Sequence, residues 1–64
     1  MPLSLPWGEK LTDNFREIPG FKYWYGDLKW GSMIFLGDFL DLEAEAQLTF
    51  ASRQISEATL ILGP

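Results

Sequence analysis

The sequence predicts one small domain of the α+β class tending to mainly β, with a short N-terminal helix packed on an antiparallel sheet of about four strands. Residues 40 to 50 alternate strictly between apolar and polar side chains, which predicts a strand with one dry and one wet face. The run Phe21–Trp30 is rich in aromatic residues that favour strands. Before it, Leu11, Phe15 and Ile18 fall at i, i+4 and i+7, the spacing of one helical face.

The segment Met1–Gly8 is predicted to be an extended arm that precedes a single domain over residues 9–64. Its two prolines restrict the backbone and oppose regular structure. Leu3, Leu5 and Trp7 alternate along it. Two interpretations remain open: the arm adds to a neighbouring molecule's sheet, or it folds back over its own helix.

The segment Glu9–Ile18 is predicted to form the helix. Glu9 near the start suits the helix dipole, and Pro19-Gly20 would end the element. A helix this short is marginal without packing. We therefore expect it to cover one face of the sheet.

The first predicted strand lies within Phe21–Trp30, where Gly26-Asp27 marks a bulge or a tight turn. Alternation places Phe21, Tyr23 and Tyr25 on one face and Lys22 and Trp24 on the other. Gly31-Ser32 is a second break. The apolar run Met33–Leu36 predicts a short buried strand, and Gly37-Asp38 is the expected turn after it.

The alternating segment Leu40–Ala51 is the longest predicted strand. The rival interpretation is a helix, which would group Phe39, Leu42, Ala46 and Phe50 but leave Leu40 and Leu48 off that stripe. Ala51–Gln54 is then a loop, and Ile55–Leu62 a last strand. The last strand becomes apolar on both faces near its end, which predicts burial from two sides.

Size and composition together predict an association partner. The chain has 64 residues, of which 47% are hydrophobic and 16% aromatic. A chain this short buries only about 60% of its unfolded surface, so some aromatic surface should remain outside. With no Cys and no His, neither a disulfide nor a zinc site can staple the fold.

Charge and missing residue types exclude several functions. A net charge of −4 disfavours nucleic acid as a partner. Without His or Cys, Ser–His and Cys–His catalytic sites are impossible within one chain, and no nucleotide-binding glycine motif is present. We expect no enzyme activity, cofactor, metal or small-molecule substrate. With no signal-peptide layout or membrane-length apolar run, the expected location is cytoplasmic or within a large complex such as a virion.

The acidic group Asp38, Asp41, Glu43 and Glu45 lies in a span with no basic residue. Its carboxylates could hold a divalent cation, act as an acid–base pair or face a basic partner. The alternative is a solvated strand face that keeps sheets from sticking together. Because i and i+2 carboxylates on a strand stand in an open row, a cation cage is disfavoured.

The aromatic run with its interleaved lysines could stack single-stranded nucleic acid or a sugar ring. In the alternative interpretation, one face of this aromatic run packs in the core and the other forms a protein interface, where Trp and Tyr are enriched.

The predicted function is a non-enzymatic assembly or binding subunit that self-associates or joins a larger complex. The alternatives are an acidic inhibitor occupying a basic groove of a target enzyme and a single-strand nucleic-acid binder. The candidate partner-contact residues are Trp7, Trp24, Trp30, Asp41, Glu43 and Glu45.

Overall fold

A computed structural model describes residues 4–63, which form one four-stranded antiparallel sheet with strand order β1-β2-β3-β4. The strands are β1 (Phe21–Asp27), β2 (Ser32–Phe39), β3 (Leu42–Ala51) and β4 (Gln54–Leu62). Each strand pairs with the next along the chain. The fold is therefore an all-β meander, with β1 and β4 at its two edges.

The predicted helix Glu9–Ile18 is wrong, because no residue between 4 and 63 is helical. The segment instead turns at Asp13-Asn14, where Phe15 N–H donates to the Thr12 carbonyl at 3.0 Å. Asp, Asn and Thr form turns through their own side chains and are poor helix formers. Because this helix is absent, the α+β assignment is wrong and the domain is all-β.

The apolar residues assigned to the helix nevertheless cover the sheet. Leu11 and Ile18 are buried in the core, and Leu5 and Phe15 pack against it. The Phe15 ring lies 6.1 Å from that of Phe35 in β2. Residues 4–20, hereafter the N-terminal segment, thus form an irregular cover rather than a helical one. Leu3, the other apolar residue of the predicted arm, lies outside the described residues.

Arg53 in the β3–β4 turn fastens the middle of the N-terminal segment to the sheet. Its carbonyl accepts from Leu11 N–H at 2.8 Å, and its Nε donates to the Leu11 carbonyl at 3.0 Å. Its Nη2 also donates to Asp13 Oδ1 at 2.6 Å. This hydrogen bond and the nearby positive charge lower the pKa of Asp13 below its ordinary value. Both side chains are exposed, so the ion pair itself adds little stability.

The core lies between the N-terminal segment and one face of the sheet, hereafter the core face. Met33, Phe35 and Leu48 are fully buried there. Cross-strand pairing aligns Phe35 with Ala46 and Met33 with Leu48, so large side chains alternate with a small one. Each fully buried large side chain contributes about 2 kcal/mol relative to exposure.

The predicted strand at Leu40–Ala51 is confirmed as β3 from Leu42 onward. Of its apolar positions, Ala44, Ala46, Leu48 and Phe50 are buried as expected, whereas Leu40 and Leu42 are not. Leu40 is 68% exposed and Leu42 43% exposed. Leu40 and Asp41 form the β2–β3 turn, both with positive φ. The turn predicted at Gly37-Asp38 is therefore wrong by a few residues, and Gly37 lies within β2.

The apolar end of β4 predicted burial from two sides, and this prediction is wrong. Ile61 is 46% exposed and Leu62 44% exposed. They lie on the edge strand of a sheet that only one layer covers. Within residues 4–63, no helix is long and apolar enough to cross a membrane.

Candidate interaction surface

Three exposed aromatic side chains, Trp24, Tyr25 and Trp30, stand together at the β1 edge and are hereafter the aromatic patch. The Tyr25 ring lies 5.3 Å from that of Trp30 and 6.3 Å from that of Trp24. Trp24 is 58% exposed, and Trp30 is 67% exposed. The Tyr25–Trp30 pair meets edge to face, at an interplanar angle of 78°, and the Trp24–Tyr25 pair is tilted at 50°. Aromatic rings at these distances attract each other, so the patch is a defined cluster.

A β-bulge at Trp24 creates this patch. Tyr23 pairs with Phe35, yet Tyr25 pairs with Ile34, so Trp24 is an extra residue in β1. A bulge places one more residue on one strand than on its partner and re-aims the side chains beyond it. Tyr25 thereby leaves the face of Phe21 and Tyr23, where simple alternation had placed it. It joins the face opposite the core, hereafter the open face.

The β1–β2 turn holds Trp30 against Tyr25. Asp27 Oδ1 accepts from Trp30 N–H at 2.7 Å. Gly31 N–H donates to the Asp27 carbonyl at 3.2 Å. Gly26, with φ +95°, approaches the Ser32 carbonyl so closely that a Cβ would collide with it. The Gly26-Asp27 pair therefore sets the turn geometry next to the bulge, while the bulge itself lies at Trp24.

Two cross-strand rows of side chains lead from the β1 edge across the open face to β4. One cross-strand row runs from Tyr25 through Ile34 and Gln47 to Thr59. The adjacent row contains Lys22, Leu36, Glu45 and Ile61. Directly opposite residues in antiparallel strands project to the same side and lie about 5 Å apart. Leu36 is 40% exposed and Ile61 46% exposed, and Glu45 stands between them on β3, so charged and apolar side chains alternate along this row.

The acidic residues Asp38, Glu43 and Glu45 line a shallow groove on the open face. The groove encloses about 510 Å³, and Leu36 and Ile61 supply its apolar side chains. Asp38 stands opposite Glu43 on the neighbouring strand. Gln47 Nε2 donates to Glu45 Oε2 at 2.6 Å. In the described part of the chain, no cluster of three acidic residues is arranged to hold a metal ion.

The structure brings together four of the six predicted contact residues. Glu43 and Glu45 lie on the open face, with Trp24 and Trp30 in the patch at its β1 edge. Asp41 sits in the β2–β3 turn. Trp7, 55% exposed, belongs to the N-terminal segment, which covers the other side of the sheet. Two aromatic and two acidic candidates thus lie on one side of the sheet, whereas Trp7 and Asp41 do not belong to that set.

Sequence reasoning missed Tyr25, Leu36 and Ile61 as members of this surface. Tyr25 was expected to share a face with Phe21 and Tyr23, because strict alternation ignores the bulge at Trp24. Leu36 and Ile61 were expected to be buried because their segments are apolar on both faces. A three-aromatic run before a glycine was the available signal for an interrupted strand.

The open face combines the two properties that attract cationic and apolar groups. The strands contain five carboxylates and one lysine, and strand alternation directs all six to the open face. The five are Asp27, Asp38, Glu43, Glu45 and Glu57. Exposed indole rings beside them can accept cations on their faces. The arrangement suits recognition by contact, since carboxylates in an open row do not enclose a reacting group.

No family model, curated protein or solved structure matches this chain. A function must therefore be inferred from the side chains that the fold exposes. The open face and its β1 edge bring together the aromatic patch, the exposed Leu36 and Ile61 and the acidic groove.

Proposed function

We propose that this protein is a non-enzymatic binding subunit whose open face docks onto a protein partner that presents basic and apolar side chains. One observation carries the proposal: the bulge at Trp24 places the aromatic patch on the same surface as Glu43 and Glu45. Aromatic anchors surrounded by polar residues are the usual composition of protein interfaces.

The exposed apolar area of the aromatic patch is the main source of binding free energy. Its tryptophans keep more than half of their surface in water, at 58% and 67%. Removing such area from water yields about 25 cal/mol per Å². Because the fold exposes three aromatic rings side by side, a partner that covers them gains this stabilisation.

The charge of the open face selects the kind of partner. Five carboxylates against one lysine favour a basic surface and disfavour phosphate-rich nucleic acid. The same imbalance opposes stacking two copies with their open faces together, because like charges would then meet. An acidic inhibitor in the basic groove of a target enzyme would use this same contact, with an enzyme as the partner.

Random dodecapeptides displayed on phage provide the test. The full chain is immobilised, bound peptides are selected at low salt, and the enriched sequences are counted. We expect peptides that combine Lys or Arg with aromatic or branched apolar residues. Their affinity should fall as salt is added, because exposed charges are screened. Enrichment of uncharged or acidic peptides would contradict the proposal.

Two matched variant pairs locate the contact. Glu45→Lys should abolish binding of the selected peptides, whereas Glu17→Lys, an equal charge change on the N-terminal segment, should leave it intact. Trp24→Ser should weaken binding, whereas Trp7→Ser should not. Equal losses within either pair would mean that the open face is not the contact. Loss of concentration-dependent mass in Trp24→Ser would instead assign the face to a second copy.

A further inference from the structure

The outer edge of β4 exposes unpaired backbone groups, a feature separate from the side chains of the aromatic patch. β4 is nine residues long and ends the strand order. Among residues 4–63, no strand pairs with its outer side. Every second backbone N–H and C=O along an edge points away from the sheet and is free to pair with another strand.

The two edges of the sheet are protected to different extents. β1 carries Lys22 and the bulge at Trp24, and both features discourage strand addition. Residues 58–62 of β4, which read ATLIL, contain neither a charge nor a proline. The irregularity of β4 lies near Ser56, before this stretch. Residues 57–62 pair with β3 in unbroken register, so this half of the edge is regular and unguarded.

We propose that two copies of this chain pair antiparallel through their β4 edges, with the two-fold axis at Leu60. This register sets Leu60 opposite its own copy, Thr59 opposite Ile61, Ala58 opposite Leu62 and Glu57 opposite Gly63. No charged residue faces another, although each chain carries a net charge of −4. A register centred at Thr59 would instead extend the pairing into the irregular part near Ser56.

The same register keeps the two sides of the sheet consistent. Each residue lies opposite one whose number differs from its own by an even number, so the two side chains project to the same side of the sheet. The core faces of both copies therefore lie on one side. Ala58 and Leu60, which pack against the core, would meet their counterparts there. Ile61 and Leu62, the exposed apolar end of β4, would be covered. The product is an eight-stranded sheet with two adjoining open faces.

The cover of the core does not obstruct this contact. The N-terminal segment crosses to β4 at Arg53, where Leu11 N–H donates to the Arg53 carbonyl at 2.8 Å. The proposed axis lies seven residues further along the chain, which is roughly 20 Å at the rise of a strand. Among the described residues, no backbone hydrogen bond joins the N-terminal segment to residues 57–62.

Molar mass over a dilution series, measured by light scattering after gel filtration, tests the dimer. We expect a mass that falls from dimer to monomer on dilution. Thr59→Lys should lower the association constant at least about tenfold, because it brings two like charges to a flat edge. Thr49→Lys, which adds the same charge to an exposed position of the central strand β3, should leave the association constant unchanged.

Single cysteines give the register, because the chain contains no Cys. Cysteines placed in turn at positions 58 to 62 are oxidised at a concentration that favours the dimer. Disulfide yield should be greatest for Leu60→Cys, with circular dichroism confirming that each variant is folded. A monomer at all concentrations, or a flat disulfide profile, would overturn the proposal. So would a dimer that Trp24→Ser dissociates and Thr59→Lys does not, since association would then use the open face.

Discussion

Single residues in the two tight turns adopt an unusual backbone conformation. Leu40 and Asp41 have φ of +53° and +64°, and Ser52 and Arg53 have φ of +53° and +63°. Two consecutive residues with positive φ define the turn that best fits the twist of paired strands. Glycine and asparagine favour this conformation, and the sequence uses neither at these positions. The absence of a glycine explains why the β2–β3 turn was expected at Gly37-Asp38 instead.

Asp41→Gly should therefore stabilise the protein by about 1 kcal/mol, since glycine removes the steric cost of positive φ. The free energy of unfolding in urea measures the effect. Asp38→Gly is the matched control, because it removes the same charge within β2. There glycine should destabilise the strand by about 0.5 to 1 kcal/mol. Destabilisation by both substitutions would contradict the turn geometry.

Leu42 and Leu48 occupy equivalent apolar positions in the alternation of β3, but they differ in burial. Leu48 is fully buried, whereas Leu42 is 43% exposed beside the turn. Leu48→Asp should unfold the domain, because an unpaired buried charge costs several kcal/mol of a total stability of roughly 5. Leu42→Asp should cost about 1 kcal/mol and leave a folded protein. Near-ultraviolet circular dichroism distinguishes the outcomes, and equal behaviour of the two variants would show that the burial is wrong.

At the scale of elements, the sequence predicted the sheet better than its cover. All four strands were expected close to where they occur, because alternation directly reports a half-buried strand. Leu11, Phe15 and Ile18 were correctly expected over the sheet. Their spacing does not determine the backbone between them, and Thr12, Asp13 and Asn14 form a turn instead. A bulge or tight turn was expected at Gly26-Asp27, but the position of the bulge at Trp24 was not, because it arises from pairing with β2, which a single segment does not encode.

The link between the N-terminal segment and the β3–β4 turn predicts a pH effect. The Arg53 hydrogen bond lowers the pKa of Asp13 in the folded protein. A lowered folded pKa stabilises the fold above the unfolded pKa of about 3.9, and this contribution disappears as pH falls through the folded value. Carboxyl chemical shifts followed by NMR should give Asp13 a pKa below the ordinary value of an aspartate. Arg53→Gln should raise the pKa of Asp13 towards its ordinary value. An unchanged pKa in that variant would exclude the link.

At the scale of the whole molecule, one layer covers a sheet that has two faces. The N-terminal segment packs on the core face, and the open face retains its aromatic, apolar and acidic side chains. Composition alone predicted that aromatic surface would remain outside. The sequence could not show that the aromatic and acidic candidates share one face, because this depends on the bulge and on the register between strands.

Tryptophan fluorescence should distinguish the two proposed contacts in the intact protein. Trp7, Trp24 and Trp30 are each more than half exposed, so native emission should be close to that of the unfolded chain. The proposed β4 dimer leaves Trp24 and Trp30, at the opposite edge of the sheet, in water, so the emission of Trp7→Phe should stay constant while dilution halves the molar mass. A selected basic peptide should shift emission to the blue, because it covers Trp24 and Trp30. Trp7→Phe should preserve that shift. A blue shift on self-association alone would mean that copies meet through the aromatic patch, which would contradict the assignment of dimerisation to β4.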